Sequence, residues 1–180
     1  EFKKLTKIAK KRKLKILDSD KIYNKINNLK LKLIGDFQYK NLSMAVQSAL
    51  LCNLSFKKIE KSLYKIQSVE GRLSEIKTFK NGTKVFIDFA HTPEALEKVL
   101  CSIKSNFSRK ISVVFGCGGQ RDSKKRPLMG KIASKYCEKI YITDDNPRYE
   151  NAKKILKEII EGIRNSNYFN IGSRSNAIKT

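Results

Sequence analysis

Three short segments of this 180-residue sequence carry side chains that suit the binding of charged ligands. The first contains Asp88 and His91; an aspartate there suits a ribose hydroxyl or a cation, but it also suits the N-cap of a helix. The second is the small-residue run 116–122 (GCGGQRD), and the third is the loop 144–148 (DDNPR). Each segment follows an apolar run, so the arrangement of those runs decides whether the three segments can meet.

The glycine run 116–122 suits an anion, because small residues allow close backbone approach and N–H groups at a helix start attract negative charge. Arg121 and Arg126 add guanidinium groups suited to a carboxylate or phosphate. The run is neither GxGxxG, because Arg121 occupies the third glycine position, nor a P-loop, because no GK[ST] follows. A tight structural turn is the alternative. Cys117 has no assigned base, so a small loop residue is favoured over a nucleophile.

The loop 144–148 combines two acids, an amide and an arginine on a segment stiffened by Pro147. Arg148 could bind a carboxylate through a bidentate fork, while an aspartate takes an ammonium group, so the loop could hold an amino-acid zwitterion. A surface turn with an internal ion pair is the alternative. Adjacent carboxylates also suit a metal, but no histidine or third acid is nearby. The four cysteines form no CxxC pair and His91 is the only histidine, so no metal site is predicted.

The elements after residue 84 alternate between strand and helix, which favours a parallel α/β sheet. Thr92-Pro93 is a helix start, and helical periodicity resumes at Pro127. The predicted strands are 84–89, 111–115, 139–143 and 168–171. Ligands bind beyond the carboxyl ends of such strands, so the three segments are expected at one edge.

The residues before residue 84 do not show this alternation of strands and helices. Alternating leucines predict a half-buried strand over 29–33, and helical spacing predicts a helix over 41–53 with a second one capped by Ser55. Strand 73–79 and the next strand flank Asn81-Gly82, which indicates a type I′ hairpin turn. The period changes near Gly71, so a domain boundary is expected there.

A net charge of +22 suggests a nucleic-acid partner at first. However, only eight of the 39 basic residues are arginine, and no RNA- or DNA-binding signature is present, so a lysine-rich enzyme surface is the favoured interpretation. If any segment binds nucleic acid, residues 3–15 are the best candidates. The longest charge-free stretch, 42–56, is too short and polar to span a bilayer, and no signal peptide is visible. We therefore predict a cytoplasmic protein with reduced thiols and no membrane partner.

Taken together, residues 88–100 (DFAHTPEALEKVL), 114–133 (VFGCGGQRDSKKRPLMGKIA) and 143–148 (TDDNPR) resemble diaminopimelate-adding Mur ligases in order and spacing. Residues 35–41 are similar to the family's GxFNxxN, and Gly71-Arg72 also matches. The resemblance covers about residues 33–178. It implies that residues 72–180 form the carboxy-terminal amino-acid-binding domain, with a Rossmann-like, mostly parallel sheet. Residues 1–71 would then be the helical end of the central ATPase domain.

The resemblance also implies a function. The family forms an amide bond with ATP, joining meso-diaminopimelate to UDP-N-acetylmuramoyl-L-alanyl-D-glutamate in peptidoglycan synthesis. ATP phosphorylates the terminal carboxylate, the amine attacks the acyl phosphate, and Mg²⁺ offsets the phosphate charge. The alternatives are a lysine-adding Mur ligase, a ligase similar to folylpolyglutamate synthase and, from another class, a basic nucleic-acid-binding module.

Site residues follow from the same resemblance, residue by residue. The diaminopimelate-binding positions are Arg121, Asp145, Asn146, Pro147 and Arg148. The ATP-binding positions are Asn41, Arg72 and Asp88, and His91 lies at a catalytic position near the nucleotide. The DNPR form is similar to diaminopimelate-specific members, which fits a substrate with one more carboxylate than lysine.

The sequence also departs from the family pattern. It contains no GTNGKT-type P-loop, and it lacks the carbamylated lysine, the Mg²⁺ ligands and the GKGHE segment. Gln38 and Gln120 replace a typical Asn and Asp. We therefore expect the main ATP and Mg²⁺ ligands to lie outside this chain, and the isolated chain to be inactive in ligation.

Overall fold

The computed structural model describes residues 2–164 and 167–180. The chain divides into two compact units, Glu1–Gln67 and Ser68–Thr180. Across the described ranges, no helix combines the length and the apolar character that crossing a lipid bilayer requires.

The first unit is helical, and its four helices are α1 (Phe2–Lys11), α2 (Asp20–Asn27), α3 (Asp36–Leu51) and α4 (Phe56–Leu63). Its small core contains Ile22, Ile26, Val46 and Leu63. The two predicted helices are confirmed, although α3 begins earlier than expected, at Asp36. Ser55 directly precedes α4, but its side chain does not make the predicted capping hydrogen bond.

The predicted strand over residues 29–33 is wrong. This segment is a turn, in which the Leu31 N–H donates to the Leu29 carbonyl oxygen at 2.8 Å. Leu29 and Leu31 instead pack against the helical core of this unit. Their alternation therefore reflects burial on one side of an irregular segment, not pairing with a neighbouring strand.

The second unit begins with a hairpin of β1 (Ser74–Thr78) and β2 (Lys84–Ile87). Alternating helices and strands follow: α5 (Pro93–Asn106), β3 (Ser112–Phe115), α6 (Lys125–Tyr136), β4 (Lys139–Thr143), α7 (Ala152–Ile160), β5 (Asn167–Gly172) and α8 (Arg174–Lys179). Strands β3, β4 and β5 form a parallel sheet in that order. The predicted α/β architecture with a mostly parallel sheet is thus confirmed for this unit.

The hairpin corrects two expectations. Strand β2 pairs with β1 in an antiparallel ladder and is not a strand of the parallel sheet. Its residues are exposed or half-buried, whereas Ile140 and Ile142, which share one face of β4, are fully buried. The turn is not type I′, because only Gly82 of the Asn81-Gly82 pair has a positive φ, at 79°. The Gly82 N–H donates to the Phe79 carbonyl oxygen, which is the pattern of a three-residue loop with glycine in the left-handed position.

The helices of this unit start and pack as the sequence indicates. Thr92 caps α5 by accepting a hydrogen bond from the Ala95 N–H at 3.2 Å, and Pro93 occupies the first helical position. Apolar residues from α5, α6, β4 and α7 form one core, which includes Leu96, Leu100, Met129, Ala133, Ile140, Ile142, Ile155 and Ile159. This core holds the sheet rigidly, so the loops after β3 and β4 leave it at fixed positions.

Candidate functional site

The loops that follow β3 and β4 lie against each other at the carboxyl edge of the parallel sheet. The Gly119 N–H donates to the Asn146 carbonyl oxygen at 2.8 Å, and the Arg148 guanidinium donates to the Gly119 carbonyl oxygen. A Cβ atom on Gly119 would lie 2.6 Å from the Pro147 carbonyl carbon and closer still to its oxygen. Glycine is therefore required for this approach, and the two loops form one surface, as the strand order led us to expect.

Gly118 marks the point where the charged groups of the second loop converge. A Cβ atom on this glycine would lie 3.4 Å from Arg148 Nη1 and 3.7 Å from Asp145 Oδ2. Both Arg148 and Asp145 are exposed. A cation and an anion thus border the same small space, where a ligand that carries a carboxylate and an ammonium group could bind both.

The other two residues of the predicted recognition loop shape its backbone. The Asn146 side-chain oxygen accepts a hydrogen bond from the Arg148 N–H at 3.2 Å. Pro147 is half-buried, and its carbonyl oxygen accepts the Glu150 N–H at 3.0 Å. Arg148 has a φ of 52°, in the left-handed region. Asn146 and Pro147 therefore hold Arg148 in a conformation that it would rarely adopt alone.

Arg174 is a neighbour of Asp145 that sequence reasoning missed. Its Nη2 lies 3.6 Å from Asp145 Oδ1, and its Nε donates to Thr143 Oγ1 at 3.3 Å. Arg174 is the first residue of α8, which follows β5 at the same edge of the sheet. The pair is half-exposed and longer than a hydrogen bond, so it holds Asp145 only weakly. Ser173 caps α8 by accepting the Asn176 N–H at 3.4 Å, and this capping residue was the available sequence signal for a residue at this place.

Arg126 corrects the expectation that its guanidinium is available to a ligand. The side chain is fully buried and is hydrogen-bonded to Glu150 at 2.7 Å and to Glu158 at 2.6 Å. It also lies 3.4 Å from the Gly118 carbonyl oxygen. Hydrogen bonds from Arg126, and from the Gln120 backbone, lower the pKa of Glu150 to about 2. This charge cluster is internal, and neither glutamate was singled out from the sequence.

Arg121 lies at the outer part of the glycine-rich loop and is exposed. Within residues 2–164 and 167–180, no hydrogen bond or ion pair engages its guanidinium. The preceding residue, Gln120, has a φ of 49°, and its N–H donates to Glu150 Oε2 at 3.0 Å. Arg121 is therefore an exposed residue of the glycine-rich loop, with a charge available to an anion.

The Asp88 carboxylate accepts hydrogen bonds from the backbone around the hairpin. Its Oδ2 accepts the Leu73 N–H and its Oδ1 accepts the Ala90 N–H, both at 2.7 Å. Leu73 has a φ of 48°, so this carboxylate stabilises an unfavourable backbone conformation. The alternative role at a helix N-cap is taken by Thr92 instead.

His91 places the first segment near the helix that follows the glycine-rich run. Its ring is exposed, with Nδ1 at 3.1 Å from the Phe89 carbonyl oxygen. Its own carbonyl oxygen accepts a hydrogen bond from Lys125 Nζ at 2.7 Å. Lys125 begins α6, directly after the glycine-rich loop, so His91 lies near the start of that helix.

The remaining predicted nucleotide-binding residues lie in different units. Asn41 is an exposed residue of α3 in the helical unit. Arg72 is exposed in the second unit, and its N–H donates to the Val69 carbonyl oxygen at 2.9 Å. A nucleotide site made of Asn41, Arg72 and Asp88 therefore stays a prediction.

Neither a nucleophilic cysteine nor a metal centre emerges from the described part of the chain. Cys117 is buried beside Met129, with its Sγ 3.7 Å from the thioether sulfur, and burial raises the pKa of its thiol. The role of a small loop residue fits this position better than that of a nucleophile. No group of three or more His, Cys, Asp or Glu side chains in the described ranges could hold a metal ion. These residues therefore do not fit a Mg²⁺ site.

Comparisons with known proteins agree with this arrangement. A family model described as "Mur ligase, glutamate ligase domain" matches residues 71–180. The chain is 44% identical over 158 residues to the UDP-N-acetylmuramoyl-L-alanyl-D-glutamate–2,6-diaminopimelate ligase of Rickettsia bellii, covering 87% of this chain and 32% of that protein. It is 45% identical over 163 residues to the enzyme of the same name from Rickettsia typhi, covering 89% and 32% respectively. The chain thus spans 32% of the length of these curated relatives.

Solved structures show the same relationship. A structure of a UDP-N-acetylmuramoyl-L-alanyl-D-glutamate–2,6-diaminopimelate ligase superposes with a TM-score of 0.59 at 34% identity, covering 82% of this chain and 30% of that one. The folylpolyglutamate synthase of Thermotoga maritima superposes with a TM-score of 0.64 at 24% identity, covering 83% and 35%, and this likeness concerns the fold alone. The family match covers most of the chain and includes both loops of the site. The residues that match the glutamate ligase domain lie within the second unit, and the chain therefore belongs to the Mur ligase family.

Proposed function

We propose that this chain is the amino-acid-recognition part of an ATP-dependent ligase that adds meso-diaminopimelate to UDP-N-acetylmuramoyl-L-alanyl-D-glutamate in peptidoglycan synthesis. The observation that carries the proposal is the convergence of Arg148 and Asp145 beside Gly118 on a surface formed by two loops. The names of the curated relatives support the same substrate.

The chemistry of diaminopimelate matches this surface. The far end of the molecule bears a carboxylate and an ammonium group on one carbon, and lysine has only the ammonium group there. Arg148 binds the carboxylate, Asp145 binds the ammonium group, and Arg121 adds positive charge to the same surface. The other amino group then stays free to attack an activated carboxylate. Holding it in place replaces an encounter in solution with a positioned reaction.

The sequence resemblance supports a proposal about the nucleotide as well. In the complete ligase, Asn41, Arg72 and Asp88 contact ATP, and His91 lies near the nucleotide. Residues 1–71 would belong to the central ATPase domain. As the resemblance implies, residues of the complete ligase outside these 180 would hold magnesium and the phosphates. We therefore expect no ligation by the 180-residue chain alone. We also propose a cytoplasmic location, in which the cysteines stay reduced.

The proposal is tested in a complete ligase that contains these residues. Purified enzyme is supplied with ATP, the UDP-linked dipeptide and either meso-diaminopimelate or lysine, and product formation is followed by mass spectrometry. We expect strong preference for diaminopimelate, and we expect that Arg148→Ala lowers kcat/KM for it while the KM for ATP is unchanged. A preference for lysine would contradict the assignment of diaminopimelate as the substrate. Equal effects of Arg148→Ala on both Michaelis constants would contradict the role of Arg148.

A further inference from the structure

We propose that Arg126 and Glu150 are positioning residues that determine how tightly the amino-acid substrate binds, although neither touches it. The inference rests on the proposed function, because it concerns the same site. The two side chains connect the loop that carries Arg121 to the loop that carries Arg148. Three features of the structure support this role.

The first feature is the Glu150 carboxylate, which is shared between a side chain and the opposite loop. Both of its oxygens accept hydrogen bonds from the Arg126 guanidinium at 2.7 Å. One oxygen also accepts the Gln120 N–H at 3.0 Å. Gln120 directly precedes Arg121, so this hydrogen bond fixes the backbone from which the Arg121 side chain departs.

The second feature is the place of Glu150 in its own loop. Its N–H donates to the Pro147 carbonyl oxygen at 3.0 Å, which closes the turn that contains Arg148. Gln120 and Arg148 both have left-handed φ values, 49° and 52°. A residue other than glycine pays about 1 kcal/mol or more for this conformation, so tertiary contacts must maintain it. Glu150 supplies such a contact to both loops.

The third feature is the rigid attachment of Arg126. It lies in the first turn of α6, is fully buried, and binds Glu158 of α7 at 2.6 Å. Its Nη2 also points to the Gly118 carbonyl oxygen at 3.4 Å. The planar guanidinium thus transfers the fixed positions of two helices to the loops, which a single ammonium group cannot do.

Glu158 provides a matched control within the same cluster. It binds Arg126 Nη1 and lies 4.0 Å from Lys154 Nζ, but it has no hydrogen bond to either loop among the described residues. Its side chain is 23% exposed, against 22% for Glu150. Glu150→Gln and Glu158→Gln therefore remove the same charge from the same arginine at similar burial. Only the first disturbs the hydrogen bonds that join the loops.

The test compares both variants in the complete ligase, with KM measured for diaminopimelate and for ATP and with the melting temperature recorded. We expect Glu150→Gln to raise the KM for diaminopimelate about tenfold, equivalent to about 1.4 kcal/mol of binding. The KM for ATP should stay the same. Glu158→Gln should change the KM for diaminopimelate by less than about threefold, since its loss leaves both loop contacts in place. Arg126→Lys should reproduce the selective effect of Glu150→Gln if that variant does not fold.

The outcomes separate this inference from the proposed function. A general loss of stability would lower kcat and the melting temperature without a selective rise in one KM. Equal KM effects from the two glutamine variants would therefore overturn the positioning role. If the wild-type ligase rejects diaminopimelate but uses another amino acid, the substrate assignment fails. A selective rise in the KM for that amino acid in Glu150→Gln would then still support the positioning role.

Discussion

Replacing Gly119 by alanine is expected to force apart the two loops of the site and to destabilise the second unit. The new methyl group would lie 2.6 Å from the Pro147 carbonyl carbon and 3.1 Å from Glu150 Cβ. The first of these neighbours is backbone, so no side-chain rotation relieves the overlap. Neither Gly118 nor Gly119 has a positive φ, so alanine suits the backbone conformation at both positions.

The magnitude follows from three contributions. Overpacking costs about 1–3 kcal/mol. Separation of the loops also weakens the hydrogen bonds that Gly119 makes with Asn146 and Arg148, at about 0.5–1.5 kcal/mol each. Alanine also lowers the conformational entropy of the unfolded chain, which offsets about 0.4–1 kcal/mol of this destabilisation. We expect a net loss of about 3 kcal/mol in the free energy of unfolding.

Gly118→Ala is the matched control. Its methyl group would meet Arg148 Nη1 at 3.4 Å and the Asn146 carbonyl oxygen at 3.6 Å, which are ordinary contacts. Only the restriction of the unfolded chain remains, so the free energy of unfolding should stay the same or rise by up to about 1 kcal/mol. The two adjacent substitutions therefore differ in the position of one methyl group, and their difference reports on the contact between the loops.

Thiol labelling can measure the stability of the second unit separately. Cys117 and Cys137 are buried in this unit, whereas Cys52 and Cys101 are exposed and can be replaced by serine. Burial raises the pKa of Cys137 to about 12, which keeps the native thiol unreactive. Labelling pulses across a urea series then give the fraction unfolded. A free energy of unfolding for Gly119→Ala within about 0.5 kcal/mol of that for Gly118→Ala would refute the reasoning.

Three further predictions concern charged groups. In the complete ligase, Arg148→Lys should lower kcat/KM for diaminopimelate about tenfold or more, because an ammonium group cannot form the bidentate contact; unchanged steady-state kinetics would contradict this. The pKa of Glu150 is lowered from 4.5 to about 2, so its stabilising effect is present above pH 4.5 and is lost as the pH falls towards 2. In urea unfolding, the free energy of unfolding should fall less steeply below pH 4.5 in Glu150→Gln than in the wild type. An identical slope would show that Glu150 does not contribute to this pH dependence. Asp88→Ala leaves the Leu73 and Ala90 N–H groups without their acceptor and should cost about 2 kcal/mol by thiol labelling, with a loss below about 0.5 kcal/mol as the contrary result.

Local sequence signals predicted the second unit well where propensity and burial agreed. Thr92-Pro93 starts α5, and the apolar run 139–143 is a central strand. Local signals failed where contacts between separate segments decided which structure forms. Asn81-Gly82 predicted the pairing of β2 with β1, but no local signal excluded β2 from the parallel sheet as well, because a strand can pair along both of its edges. The leucine alternation over 29–33 was equally ambiguous, because irregular segments can also bury alternate side chains.

The same distinction applies to the residues of the site. Residue types and spacing identified Arg121, Asp145 and Arg148, because an exposed loop after a strand leaves its charged groups available to a ligand. The same reasoning placed Arg126 with them, although its guanidinium is buried between two glutamates. Spacing cannot distinguish the exposed Arg121 from the buried Arg126, because one lies in the glycine-rich run and the other lies just after it.

The sequence by itself determined the family, the order of the elements in the second unit and the chemical character of the recognition loops, because these properties depend on which residues occur in which order. The tertiary structure alone decided which charges face solvent and which pair internally. Glu150 lies 24 residues from Arg126, and Glu158 lies 32 residues away, so their contacts exist only after α6, the loop after β4 and α7 have packed together. An ion pair between distant residues depends on this packing, and packing is a property of the whole fold.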